Sequence, residues 1–198
     1  TALFTHVLSK AGLNPGFFIG GAALDFPRSL MPGKGAFSVV EGDEYDSAFF
    51  AKVPKFSFYK PETLIVTSVE FDHADIYPSL EKINEEFTRL VLAVPDGGSA
   101  VCCVEGDNIS LLVREWKKKA ACRIVTYGFQ DGVDYRIAAC KPSGLSQTVR
   151  IEKQSGGNFD FTLPLSGHYN ALNATSVLAA CDSCGLDSSE VRTALGSF

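Results

Sequence analysis

Apolar residues fall along this chain in two rhythms. Residues 17–19, 37–40, 63–69, 100–104 and 123–127 form short, nearly unbroken apolar runs, the pattern of strands buried on both faces of a parallel sheet. Around them the spacing lengthens to three and four. Leu3, Val7 and Leu8 predict a helix over 1–11 that stops before Gly12 and Asn14-Pro15-Gly16. Leu80, Ile83, Phe87, Leu90 and Val91 predict a second helix, closed off by Pro95. Ile109, Leu112, Val113 and Trp116 predict a third, whose end in Lys117-Lys118-Lys119 suits the negative end of a helix dipole. Beyond Gly128 the period shortens to two over 135–139, 148–152 and 159–163, broken by Pro142-Ser143-Gly144 and Ser155-Gly156-Gly157-Asn158. Helices are expected again over 170–181 and 188–195, the latter with Asp187 as N-cap. The expected fold is α/β: a mostly parallel sheet flanked by helices, with a small antiparallel β substructure near residues 133–165.

Composition narrows the task of such a fold. The 198 residues carry 18 Lys and Arg against 23 Asp and Glu, a net charge of −5 that does not suit neutralising a nucleic-acid backbone. With 45% hydrophobic and 21% charged residues and no repeat, linker or low-complexity stretch, one globular domain is expected. No apolar run approaches the ~20 residues that would cross a bilayer, and no signal sequence is visible, so a soluble cytoplasmic protein is expected. The six cysteines read as free thiols. Cys181-Asp-Ser-Cys184 has the spacing of a redox pair, but on an Ala-rich helix it reads as buried packing, and a thiol redox role would need an exposed, acidic thiol.

Three clusters could carry chemistry. Glu41, Asp43, Glu44 and Asp46 set four carboxylates in six residues just past the run 37–40, and ligands of open α/β sheets gather at the carboxyl ends of strands. The run 63–69 ends likewise in Glu70-Phe71-Asp72-His73-Ala74-Asp75, with one of only three histidines. Oxygen from Glu41 and support from His73 would suit magnesium or manganese bridging phosphates, although each cluster read singly is more often a solvated loop. The third, Ser166-Gly167-His168-Tyr169-Asn170-Ala171-Leu172-Asn173, is a glycine turn opening a helix. Asn170 and Asn173 share one helical face, and their amides could meet an adenine edge or simply cap the helix.

These three clusters, in this order, resemble the central ATP-binding domain of the Mur ligases, a P-loop NTPase-like fold. The stretch Val40-Glu41-Gly42-Asp43-Glu44-Tyr45-Asp46-Ser47-Ala48-Phe49-Phe50, followed by Glu70-Phe71-Asp72-His73-Ala74-Asp75-Ile76, is similar to the murein peptide ligase subgroup. In the L-alanine-adding ligases the two acidic motifs lie closer together and the Tyr-Asp-Ser-Ala-Phe-Phe form is absent. The resemblance implies an ATP-dependent carboxylate–amine ligase acting through an acyl phosphate. Its partners would be UDP-N-acetylmuramate and the tripeptide L-alanyl-γ-D-glutamyl-meso-diaminopimelate, as in peptidoglycan recycling. It implies ATP and Mg2+ as cofactors, Glu41 and His73 as metal-binding catalytic residues, and Gly167, Asn170 and Asn173 as the adenine-site segment.

The chain departs from the family pattern in three places. Ser68 stands where asparagine is usual, and Tyr169 stands where the Gly-x-His-Asn motif has histidine. No Gly-x-x-Gly-Lys-Thr-Thr phosphate loop occurs, as though the sequence opened just after it. On this reading residues 1–198 are a central domain without its phosphate loop and without the UDP-binding and C-terminal domains, inactive alone because the β- and γ-phosphates lack their donors. The L-alanine-adding ligase and a non-catalytic α/β module holding a cation or a partner are the alternatives.

Overall fold

The computed structural model describes residues 1–48, 51–71 and 77–198. The chain divides into two compact units. One comprises Thr1–Glu41, Ile137–Glu152 and Gly156–Phe198, the other Gly42–Arg136 with Lys153–Ser155.

The second unit is built on a parallel ladder. Strands β6 (Thr63–Val66), β7 (Ser99–Cys103) and β8 (Arg123–Gly128) pair in parallel, and β8 continues in parallel onto the first residues of β9 (Tyr135–Ser143). All five residues of β7 are buried, which explains its unbroken apolar sequence. The crossovers are α2 (Leu80–Leu92) and α3 (Asp107–Lys119), whose apolar stripes meet the ladder in one core of Val66, Ile83, Val91, Ala100, Cys102, Val113 and Trp116. Trp116 is fully buried, and its indole N–H donates to Thr88 Oγ1 of α2 at 2.9 Å, so the two helices are joined by packing and by one satisfied polar contact. Before the ladder come a hairpin, β4 (Asp46–Ala48) with β5 (Ala51–Pro54), and a 3-10 turn at Lys55–Phe58 whose Phe56 ring lies 5.2 Å from that of Phe87.

The first unit holds a three-stranded sheet and three helices. β1 (Gly16–Phe18) pairs in parallel with β3 (Ser38–Val40) and antiparallel with β2 (Leu30–Met31). Helix α1 (Ala2–Lys10) touches α4 (His168–Ser183) and α5 (Ser188–Leu195), and α5 touches β11 (Asn158–Leu163). Leu8, Phe17, Ile19 and Val39 form the core of this part, with Phe26 packed on Phe17 at 4.8 Å. His6 is buried and bridges Asp25 (2.9 Å) to the Ser197 hydroxyl (3.0 Å). Asp187 caps α5 as expected: the Ser189 hydroxyl and then the Glu190 and Ser189 N–H groups donate to its carboxylate and hold its pKa below the ordinary aspartate value. Strand β10 (Ser146–Lys153) pairs antiparallel with β11.

Two expectations need correction. The runs 17–19 and 37–40 are strands, but they form the separate small sheet and are not buried on both faces: Phe18 is 41% and Val40 45% exposed. A three-residue strand alternates its side chains like any other, so an apolar run does not say which sheet it joins or whether its outer face is covered. The run 63–69 also stops early as a strand, at Val66, although Val69 is buried further on. Among the described residues no helix is long and apolar enough to cross a membrane.

All six cysteines are free. Burial pushes the Cys102 and Cys181 thiols from 9.0 up to about 12, with smaller contributions from neighbouring thiols. Alkylation of the folded protein at pH 8, read by mass spectrometry, should therefore spare Cys102 and Cys181 and reach half-buried Cys184 first. Because these folded-state values are raised, the stability they contribute is complete below about pH 9 and is lost as the pH climbs towards 12.

Candidate active site

Glu41 follows β3 directly, and its backbone N–H donates to Phe18 O at 3.0 Å, carrying the β1–β3 ladder one residue further. Its carboxylate is held by the main chain: Gly20 N–H donates to Oε2 at 3.1 Å. A Cβ on Gly20 would stand 3.0 Å from Oε1 and 3.2 Å from Cδ, so glycine is what lets the loop approach this closely. The half-buried glutamate thus has its backbone locked in a strand ladder and one oxygen locked by an amide.

The remaining acidic residues differ in how committed they are. Asp43 Oδ1 accepts from Tyr45 N–H and Oδ2 pairs with Lys55 Nζ, both at 2.8 Å, so a role for Asp43 as a partner orienting a metal ligand would compete with these bonds. Glu44 and Glu70, with Ser68, Phe71, Tyr77 and Phe87, line a cavity of about 180 Å³. Its walls are fixed by buried Tyr77, whose hydroxyl donates to Glu44 O at 2.8 Å, and by Asn108, whose amide donates to Val69 O at 2.8 Å while exchanging bonds of 2.9 and 3.0 Å with Asn84. His73, with Asp72 and Asp75, lies outside the described residues.

The third cluster is the first turn of α4. Gly167 is its N-cap at φ +100°, a conformation that a residue with a Cβ rarely adopts, and no side chain caps the helix there. Asn170 therefore does not cap the helix: its amide nitrogen reaches back to Ser166 O at 2.7 Å, which leaves a second N–H and the carbonyl oxygen of that amide for other partners. Asn173 is exposed three residues on, and Tyr169 is 84% exposed beside them. The turn is supported from beneath by Gln147 of β10, only 1% exposed, whose Nε2 donates to Leu165 O and Gly167 O at 2.9 Å each.

Sequence reasoning missed Gly20 and Gln147. Gly20 gave only the weak signal of a Gly-Gly pair after an apolar run. Gln147 gave a better one: a polar residue two before Val149 and four before Ile151, in the buried register of an alternating strand. Among the described residues no three His, Cys, Asp or Glu side chains gather into a metal-holding group. The hard oxygen donor of Glu41, held by a single amide, nevertheless fits magnesium, which takes one or two carboxylates and completes its shell with water and phosphate.

A family model described as the Mur ligase middle domain matches residues 23–181. The UDP-N-acetylmuramate–L-alanine ligase of Anaeromyxobacter dehalogenans is 31% identical over all 198 residues, which cover 41% of its length. The chain thus spans under half of the curated relatives it matches. Among solved structures, the UDP-N-acetylmuramate:L-alanyl-γ-D-glutamyl-meso-diaminopimelate ligase of Neisseria meningitides superposes with a TM-score of 0.84 at 30% identity, over 100% of this chain and 61% of that one. The UDP-N-acetylmuramate–alanine ligase of Thermotoga maritima follows with 0.80 at 27%, over 100% and 41%.

If Gly20 sets the Glu41 carboxylate, Gly20→Ala should displace it. The expected result is a 10- to 100-fold weaker affinity for Mn2+ in the presence of ATP, the range found when a group orienting a metal ligand is lost. Paramagnetic resonance titration measures it, and an unchanged affinity would show that Gly20 does not orient a ligand.

Proposed function

The chain belongs to the Mur ligase family of ATP-dependent ligases, and from that premise we propose that it is the ATP-binding part of an enzyme that joins L-alanyl-γ-D-glutamyl-meso-diaminopimelate to UDP-N-acetylmuramate. The observation that carries the choice of substrate is the segment Tyr45-Asp46-Ser47-Ala48-Phe49-Phe50 between the two acidic motifs, together with the longer spacing it creates. Such an enzyme returns recovered murein peptide to peptidoglycan synthesis in the cytoplasm. On this reading residues 1–198 form one central domain, completed in the whole protein by a phosphate loop, a UDP-binding domain and a C-terminal domain.

The chemistry asks mainly for position and charge. The γ-phosphoryl group of ATP passes to the muramate carboxylate, and the peptide amine then attacks the acyl phosphate and releases phosphate. Glu41 and His73 are the residues that would hold magnesium, or manganese in its place, and the cation supplies neutralisation of phosphate charge. Glu41 meets this task with a carboxylate fixed before any ligand arrives, so little reorganisation is needed. Asn170 and Asn173 offer amide donors and acceptors from one face of α4, which suits the edge of a purine. Tyr169 stands beside them and presents an aromatic face where the family has histidine.

A second reading has support of its own. The Anaeromyxobacter dehalogenans relative is an L-alanine ligase, so an alanine-adding enzyme competes on sequence similarity with the tripeptide-adding one. Phosphate release by the full-length protein, with ATP and UDP-N-acetylmuramate and either L-alanine or the tripeptide, separates the two; faster turnover with free L-alanine would overturn the tripeptide assignment. In the same assay Glu41→Gln should lower kcat by about 100-fold or more, since a missing metal ligand removes several kcal/mol of transition-state stabilisation.

A further inference from the structure

We propose that Gln147 is the positioning residue of the nucleotide-base segment, setting the rotation of the first turn of α4 through the carbonyls of Leu165 and Gly167. The inference rests on the reading of residues 167–173 as that segment and adds a determinant outside it.

Gln147 lies in β10 in the register of Val149 and Ile151, both fully buried, and is itself 1% exposed. An amide in such a place is costly unless its polar atoms are bonded, so its presence needs a reason. The reason is two bonds of 2.9 Å from one nitrogen, to Leu165 O and Gly167 O. Two carbonyl acceptors converging on one atom also settle which end of the amide faces them: only the NH2 can donate twice, and an oxygen there would meet two like dipoles.

The consequences follow from peptide planarity. A trans peptide points its N–H opposite to its C=O, so holding the Leu165 and Gly167 carbonyls towards Gln147 turns the N–H groups of Ser166 and His168 the other way. Gly167 O also accepts Ala171 N–H at 3.1 Å, which uses its second lone pair and ties the same carbonyl to the helix. Ser166 O, between the two, accepts from Asn170 at 2.7 Å. Three successive carbonyls are thus fixed, two by Gln147 and one by a residue of the segment itself. Gly167 at φ +100° would otherwise be the most permissive joint of the turn. Gln147 removes that freedom and fixes the turn from which Asn170 and Asn173 follow.

The test uses the full-length enzyme. Gln147→Leu removes both donors at similar volume. It should raise KM for ATP about tenfold, the equivalent of one or two net hydrogen bonds from the misaligned asparagine amides to the base. It should also reduce the preference for ATP over GTP, with kcat at saturating ATP changed less than about threefold. Gln147→Glu puts an acceptor where donors stood and should raise KM for ATP at pH 8 at least as much, the effect easing as the pH is lowered and a carboxyl proton restores one donor. Should leucine fail to fold, Gln147→Met, which drops the donors and keeps the chain length, takes its place. A lower Tm with unchanged KM for ATP and unchanged base preference means a packing role only and overturns the proposal. Asn170→Ala and Asn173→Ala keep the two levels apart. If they raise KM for ATP and Gln147→Leu does not, positioning by Gln147 is wrong and the segment stands. If the asparagine variants are silent, the segment reading fails and the proposal with it.

Discussion

Strand β7 has no solvent face. Five consecutive buried residues, Ser99 to Cys103, can exist only where every backbone group is paired and both sides are covered, and a parallel ladder meets the first demand by giving β7 a neighbour on each edge. Parallel pairing in turn requires a crossover between successive strands, and α2 and α3 supply them. Their apolar stripes close the core around Trp116 and Val91, while polar residues collect at the ends of strands, where the chain has to turn. The crowding of Glu44, Ser68 and Glu70 around one small cavity follows from that arrangement.

A second regularity concerns how loops near strand ends are held. Glu41 accepts from the main chain of Gly20, Val69 O accepts from Asn108, Glu44 O from Tyr77, and the carbonyls of Leu165 and Gly167 from Gln147. In each case a side chain from one segment satisfies, or is satisfied by, the backbone of another, so irregular stretches are tied to regular ones without a large apolar contact. Such bonds contribute only about 1 kcal/mol each in net stability, but leaving a buried partner unmet costs more, which makes them determinants of geometry more than of stability. A ligase that works by alignment and charge neutralisation depends on geometry of this kind.

Much of this was legible in the chain. The helical stripes placed α1, α2 and α3 to within a few residues, and the Asp187 cap at the start of α5 was visible from residue type and position alone. The three motifs pointed to the family because short-range chemistry, a glutamate after an apolar run or a glycine before a helix, is written locally. The membership of β1 and β3 in a separate sheet was not legible, since pairing partners are chosen by long-range register and three apolar residues look alike in either sheet. Alternation marked β10 and β11 as antiparallel, but not the parallel neighbour that the first residues of β9 find in β8.

The sequence by itself determined the elements and the chemistry available to them: which stretches coil, which extend, and that carboxylates follow β3 while two asparagines open α4. Local periodicity and residue type suffice for that, because they act over one or two turns of chain. Only the tertiary structure decided which carboxylate is fixed and by what, that Asp43 is bonded to Lys55 whereas Glu41 is held by the Gly20 amide, and that a glutamine twenty residues from Gly167 holds its carbonyl. Those relations join atoms distant in sequence through hydrogen bonds about 3 Å long, and no pattern along the chain encodes a distance across it.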